Sequence, residues 1–119
     1  TSCRDVPALR ALRAVRQLLD RTGLEWGPTG SVGFELATGQ VTASRDSDLD
    51  LLVRTGGIND LLPVLSAVHH GFRSLDARVD CQVETSSGSV ALSELVGSRP
   101  DVLVRTPQGP RLIARDAVP

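Results

Sequence analysis

The sequence predicts a sheet-containing domain of mixed α/β or α+β class, and three patterns support this fold class. Apolar residues recur at three- and four-residue steps near the start of the chain, as in an amphipathic helix. Residues 77–83 alternate between apolar and polar side chains, as in a strand with one buried face. Helical and extended patterns then follow in the order helix, strand–helix, strand, helix, strand, helix and two strands.

The first half of the chain is expected to bring two helices up to a buried strand. Gly23 and Gly39 end these helices, and Ser31 caps the second one. The expected elements are a helix over residues 5–21, a short Gly- and Pro-rich stretch at 26–30, a short helix over 32–38, a polar loop at 40–47 and a strand at 49–53.

The second half is expected to alternate helices and strands before a final pair of strands. Pro63 suits a helix only in its first turn, which is where we expect it. The expected elements are a helix over residues 58–70, an alternating strand over 76–85, a short helix within 89–96, and strands at 101–105 and 111–114 around a turn.

The composition narrows the chemistry that the domain can perform. Its 119 residues suit one domain, and all 13 basic residues are Arg. The absence of Lys excludes a Walker-type phosphate loop and Schiff-base chemistry, so phosphate would be bound by Arg, backbone N–H groups or metal. The net charge of -1 gives no reason to expect nucleic acid as a partner.

The cysteines and the hydropathy pattern favour a cytoplasmic protein with no membrane partner. Cys3 and Cys81 are too few and too far apart for a disulfide framework or a zinc site, and Cys81 is expected to be a buried thiol. No apolar run approaches the roughly 18 residues of a membrane helix. Because the chain begins with Thr1 and contains no Met, we expect a native N-terminal segment to be missing.

Two aspartates at the start of the strand at 49–53 are the residues most indicative of function. Asp48 and Asp50 point to the same side of a strand, where two carboxylates can bind a hard divalent cation such as Mg²⁺ or Mn²⁺. Asp80, on the polar face of the next strand, offers a third carboxylate, with Glu84 as the alternative. A turn and cap is the simpler interpretation of Asp-x-Asp taken alone.

Four nearby residues are candidates to bind the phosphates of a substrate. Gly30 and Ser31 open a short helix, where backbone N–H groups and the helix dipole favour anions. Arg54 shares the strand face of the aspartates and Arg78 precedes Asp80 by two residues, so both are weaker candidates.

Other titratable residues fit simpler roles. Glu35 is expected at the surface, and His69 and His70 are expected to cap the end of a helix, where positive charge is favourable. Arg45, in the loop before the aspartates, is a candidate contact for a partner or a substrate.

Longer strings extend the aspartate pattern. A Gly-Ser pair, a loop, Asp-x-Asp and a later strand carboxylate resemble the nucleotidyltransferase superfamily, whose members include proteins similar to DNA polymerase β. The strings GSVGFELATG (30–39) and SDLDLLVR (47–54) resemble the malonate decarboxylase holo-acyl-carrier-protein synthases, or phosphoribosyl-dephospho-CoA transferases. The resemblance covers most of residues 26–114 and continues at 78–85, 91–94, 104–106 and 109–112.

The resemblance implies an α+β nucleotidyltransferase fold similar to DNA polymerase β, a mixed sheet with flanking helices, with residues 1–119 as the catalytic domain. It implies transfer of phosphoribosyl-dephospho-CoA from 2′-(5″-triphosphoribosyl)-3′-dephospho-CoA to a serine of the malonate decarboxylase acyl carrier protein, with release of pyrophosphate. The family also carries an N-terminal segment, which we expect this chain to lack.

The resemblance assigns roles to the residues identified above. The aspartates Asp48, Asp50 and Asp80 would hold the metal and carry catalysis. The substrate would be contacted by Gly30, Ser31, Arg54 and Arg78.

Two other functions remain open at this point. One is a generic nucleotidyltransferase that uses ATP to modify a protein, RNA or small molecule. The other is a nucleotide-binding interaction domain without turnover, which the intact set of three aspartates disfavours. The sequence leaves open the oligomeric state, the number of metals and the surface that binds the carrier.

Overall fold

Six strands form one mixed sheet in the order in which they occur along the chain. The computed structural model describes residues 6–43, 47–75 and 77–119. The strands are β1 (Glu25–Thr29), β2 (Leu49–Arg54), β3 (Val79–Thr85), β4 (Gly88–Ala91), β5 (Asp101–Thr106) and β6 (Gly109–Ala114). β2 and β3 are parallel and the other neighbouring pairs are antiparallel, so the first residues of β2 and β3 lie side by side.

Helices connect and cover the strands, which makes the architecture α+β. They are α1 (Pro7–Asp20), α2 (Gly30–Thr38), α3 (Leu62–Phe72) and α4 (Leu92–Leu95), with a short 3-10 helix at Arg115–Ala117. α3 lies in the crossover that a parallel pair of strands requires, and α1 packs against both β2 and α3. Among the helices described, none combines the length and the apolar character needed to cross a membrane.

Every second side chain of the two parallel strands points into the core. Leu49, Leu51 and Val53 of β2 and Val83 of β3 are at most 1% exposed. Because successive side chains of a strand point to opposite faces, the residues between them lie on the polar face. Asp50 is therefore outside the core, although its side chain is half-buried.

Most of the expected elements are confirmed, with small shifts at their ends. The first helix, the strand at 49–53, the alternating strand and the final pair of strands are all present. Pro63 lies in the first turn of α3, and Gly39 ends α2 with a φ of 75°. The strand of the expected strand–helix step is β1, in the Gly- and Pro-rich stretch.

Three expectations about secondary structure are wrong. Thr29, and not Ser31, is the N-cap of α2, and it makes no side-chain cap hydrogen bond. Residues 88–91 form β4 because they pair with β3 in a hairpin, so the helix expected within 89–96 is reduced to the four residues of α4. α3 begins at Leu62 rather than at residue 58, since Pro63 has no N–H to bond and suits a helix start.

Glu35 is buried, at 7% exposure, and not at the surface as expected. Its Oε1 accepts hydrogen bonds from the backbone N–H groups of Thr42 and Ala43, both at 3.0 Å. A buried carboxylate is stabilised when N–H groups donate to it. Glu35 therefore holds the chain that leaves α2 against the helix itself, on the path toward β2.

Replacing Glu35 should destabilise the fold more than its position on a short helix suggests. Glu35→Ala leaves the buried N–H of Ala43 without this acceptor, so we expect a loss of about 1–3 kcal/mol in the free energy of unfolding. Urea unfolding at pH 7 measures it. Glu35→Gln keeps one acceptor oxygen, so its free energy of unfolding should fall by less. The control is Glu25→Ala, an exposed position, which should change the free energy of unfolding by only about 0.5 kcal/mol. Equal losses in the three variants would contradict this role.

Candidate functional site

Asp50 and Asp80 lie side by side at the N-terminal ends of the two parallel strands. The register pairs Leu49 with Val79 and Asp50 with Asp80. Neighbouring strands are roughly 4.8 Å apart, and residues paired in this way point to the same face. Asp80 is exposed and Asp50 is half-buried, so the pair opens toward solvent on one side only.

The negative charges of Asp48 and Asp80 act on the Asp50 carboxyl. The pKa of the Asp50 carboxyl is raised, first by its burial and then by the negative charges of Asp80 and Asp48. Asp48 is exposed and lies one residue before β2 begins. The fold therefore keeps negative charge concentrated at this end of the sheet, which a cation would relieve.

The start of α2 lies against the Asp50 carboxylate. Thr29 is paired with Asp50 across β1 and β2, and Gly30 follows with a φ of 62°. A Cβ placed on Gly30 would overlap Oδ2 of Asp50, so this position needs glycine for its conformation and for its lack of a side chain. Ser31 follows in the first turn, and its carbonyl accepts a hydrogen bond from Oγ1 of Thr42 at 3.2 Å.

The aspartates suit a hard divalent cation, but they do not form a complete cage. Across residues 6–43, 47–75 and 77–119, no three His, Cys, Asp or Glu side chains are grouped closely enough to hold a metal ion. Mg²⁺ commonly binds one or two carboxylates and completes its shell with water and substrate phosphates. Asp50, which lies against the start of α2, and the neighbouring Asp48 fit this shared mode of binding.

The structure separates the two arginines that were expected to contact the substrate. Arg54 lies at the other end of β2, about 13 Å from Asp50 by the rise of a strand, and its ion pairs reach Glu25 at 3.7 Å and Glu84 at 3.9 Å. Glu84 is thus grouped with Arg54 and not with the aspartates. Arg78 lies at the aspartate end, where its carbonyl accepts a hydrogen bond from the N–H of Leu49 at 2.9 Å.

A recess that the sequence did not indicate adjoins Asp80. His69, Arg73 and Arg78 are among the residues that line it. His69 does lie in the last turn of α3, as expected, but its place beside the recess depends on the tertiary position of α3, which packs against α1 and α4. No periodicity in the sequence relates Arg73 to Asp80. Arg45 lies outside the described residues.

Cys81 is a free, buried thiol, as expected from its strand position. It is 5% exposed, and its pKa is raised to about 12, first by burial and then by the charge of Asp80. A thiol with such a pKa is almost entirely protonated at neutral pH and is a poor nucleophile. We therefore assign Cys81 no role in covalent chemistry.

The chain belongs to a family of transferases: the family model described as the phosphoribosyl-dephospho-CoA transferase MdcG C-terminal domain matches residues 1–116. This confirms the family that the two sequence strings indicated. No solved structure matches the chain at a significant level.

Curated relatives carry the same family name. The chain is 43% identical to a phosphoribosyl-dephospho-CoA transferase of Pseudomonas putida, over 91% of the chain and 52% of that protein. It is 44% identical to that of Pseudomonas aeruginosa, over 92% and 52%, and 38% identical to that of Azotobacter vinelandii, over 88% and 51%. The chain thus spans about half the length of the curated relatives it matches.

Gly30→Ala should destabilise the fold more than the same change at a second glycine of similar conformation. Gly39 also has positive φ, at 75°, but a Cβ there meets nothing within 4 Å, so Gly39→Ala measures the conformational cost alone, about 1 kcal/mol. At Gly30 the overlap with Asp50 should add about 1–3 kcal/mol. Urea unfolding of both variants tests this difference. Adding Asp50→Ala should recover part of the loss, and no recovery would place the cause elsewhere.

The raised pKa of Asp50 predicts the pH range in which this residue opposes folding. A folded-state pKa above the ordinary value of 3.8 means that folding favours the protonated carboxyl. The stabilisation that comes from the protonated carboxyl is therefore fully present below about pH 3.8. It is lost as the pH rises through the folded-state pKa, above which the charged carboxylate opposes folding. In EDTA at pH 7, Asp50→Asn should raise the melting temperature by roughly a few degrees, and near pH 3 the gain should disappear. Exposed Asp101→Asn is the control, and a gain that does not depend on pH would contradict the charge explanation.

Proposed function

We propose that the domain is a metal-dependent nucleotidyltransferase and that its sheet is a nucleotidyltransferase fold. The observation that supports this most is the Asp50 carboxylate, which has a raised pKa, lies beside Asp80 and packs against the start of α2 at Gly30. The proposal thus puts a hard-cation site at these carboxylates next to an anion site at the start of α2. Phosphate groups of a substrate would use both.

The proposed reaction is the transfer of phosphoribosyl-dephospho-CoA from its 2′-(5″-triphosphoribosyl) derivative to a serine of an acyl carrier protein. Membership of the family and the names of the relatives support this choice. The serine oxygen forms a new bond to the phosphorus attached to the ribose. The bond to the outer two phosphates breaks, and pyrophosphate leaves with the electron pair.

Some residues of this chain would bind the metal and the phosphates, and another would accept the proton. Asp48 and Asp50 would hold Mg²⁺ or Mn²⁺, which neutralises charge on the phosphates when it is bound. The N–H groups at Gly30 and Ser31 would bind the departing pyrophosphate at the start of α2. Asp80 is exposed beside Asp50, so an incoming serine hydroxyl can reach it, and it would accept the proton.

The proposed partner is the acyl carrier protein of malonate decarboxylase. Its serine has to approach the open side of the aspartate pair, and all 13 basic residues of the chain are arginines. Arginine forks bind carboxylates in two-pronged, salt-sensitive contacts, which suits an acidic carrier surface. We also propose a cytoplasmic location, with which a free buried thiol such as Cys81 is consistent.

Mass spectrometry of the apo-carrier, incubated with the chain, Mg²⁺ and the triphosphoribosyl donor, tests the function. The carrier should gain the mass of one phosphoribosyl-dephospho-CoA group. Asp48→Asn and Asp50→Asn should each slow transfer on the order of a thousandfold while the fold stays intact, because the metal supplies several kcal/mol of charge stabilisation. Asp101→Asn is the control for the loss of an exposed carboxylate away from the site.

Two further measurements make a negative result informative. Wild-type chain should bind Mn²⁺, and Asp50→Asn should not, in a titration without donor or carrier. If wild type binds no Mn²⁺ and either variant unfolds, the aspartates are structural and the proposal fails. Labelling of the carrier from ATP and not from the CoA derivative would replace the proposed donor by a generic nucleotide.

A further inference from the structure

The recess beside Asp80 lies on the opposite side of the aspartates from α2. Its volume is about 540 Å³, and it is bounded by the end of α3, the start of β3 and the start of α4. Sites for small molecules usually measure roughly 300–1,000 Å³, so this recess has the size of a ligand site. Asp80 belongs both to its lining and to the aspartate cluster, which makes the two continuous.

The recess combines an apolar floor with a polar rim. The floor is formed by side chains that are at most 9% exposed: Phe72, Ala77, Cys81 and Leu92. The rim carries His69, which is half-buried, and the exposed Arg73, Arg78 and Ser93. Such a lining suits a ligand with a flat apolar part and an anionic part.

The charges of the rim favour an anion. Within the described part of the chain, neither Arg73 nor Arg78 has an ion pair, whereas Arg54 has two. Among the lining residues that the structure describes, these two guanidinium groups stand against the single carboxylate of Asp80.

We propose that this recess binds the adenosine diphosphate portion of dephospho-CoA, a proposal that rests on the proposed function. The purine lies on the apolar floor, and the diphosphate is bound by the guanidinium forks of Arg73 and Arg78. The triphosphoribosyl arm, attached to the adenosine ribose, then extends past Asp80 to the aspartates and the start of α2. Pyrophosphate alone would leave the apolar floor unused.

Binding of dephospho-CoA in EDTA tests the recess without the metal site. Isothermal titration of the chain should show binding, and Arg73→Ala and Arg78→Ala should each weaken it about tenfold, the usual effect of losing a charge-assisted hydrogen bond. Arg111→Ala, an exposed arginine on β6, should leave the affinity unchanged. Ser93→Trp should obstruct the mouth of the recess and abolish binding, with exposed Ser98→Trp as its matched control.

The remaining outcomes separate this proposal from the proposed function. Asp50→Asn should lose transfer and keep the affinity for dephospho-CoA in EDTA. If dephospho-CoA does not bind, or binds Arg73→Ala and Arg78→Ala as tightly as wild type, the recess is not its site, whether or not wild type transfers the group. ADP should displace dephospho-CoA and inorganic pyrophosphate should do so poorly. Equal displacement by pyrophosphate would overturn the assignment of the purine to the apolar floor.

Discussion

The parallel register of β2 and β3 is the constraint on which the rest of the site depends. It sets Asp50 directly opposite Asp80, and the same register buries Leu49 and Leu51 on the other face. A shift by one residue would turn the leucines to solvent and bring Asp50 into the core. The burial of two leucines therefore holds in place two carboxylates that repel each other, and the apolar core supplies the energy that keeps the charges together.

The segments around this pair are adapted to its presence. Gly30 lets α2 begin against Asp50 because it has no side chain and tolerates a positive φ. At the other end of α2, Glu35 binds the N–H groups of Thr42 and Ala43 and so fixes the departure of the loop that leads back to β2. Both features act on the same short helix. Its start packs against Asp50 because Gly30 has no side chain, and the hydrogen bonds of Glu35 fix the chain that leaves it.

The sequence was informative where local periodicity determines structure. Alternation placed Asp50 and Asp80 on the polar faces of their strands, and the strong apolar pattern of α1 located that helix. It could not reveal β4, because residues 88–91 are strand only through pairing with β3. Nor could it show that Glu35 is buried, since the N–H groups that bind it come from a loop seven and eight residues later.

The positions of the arginines could not be predicted from the alternation of side chains along a strand. Arg54 shares the face of Asp50, yet its distance along β2 and its carboxylate partners remove it from the aspartates. Arg73 has no sequence relation to Asp80, yet the crossover through α3 brings it to the same recess. The alternation of side chains therefore assigns a residue to a face of the sheet. The position of α3, which packs against α1 and α4, decides which arginines lie together at that end.

The aspartate cluster consequently has two different flanks. The α2 side offers backbone N–H groups, which bind phosphate without selecting what is attached to it. The β3 side offers an apolar floor and two guanidinium groups, Arg73 and Arg78, which can select a ligand by shape as well as by charge. In the proposed reaction the enzyme has no need to distinguish the leaving pyrophosphate from other ligands, but it must recognise the group that it transfers. The chemistry of the two flanks thus favours one direction for the donor, with its triphosphate end toward α2 and its nucleotide toward β3.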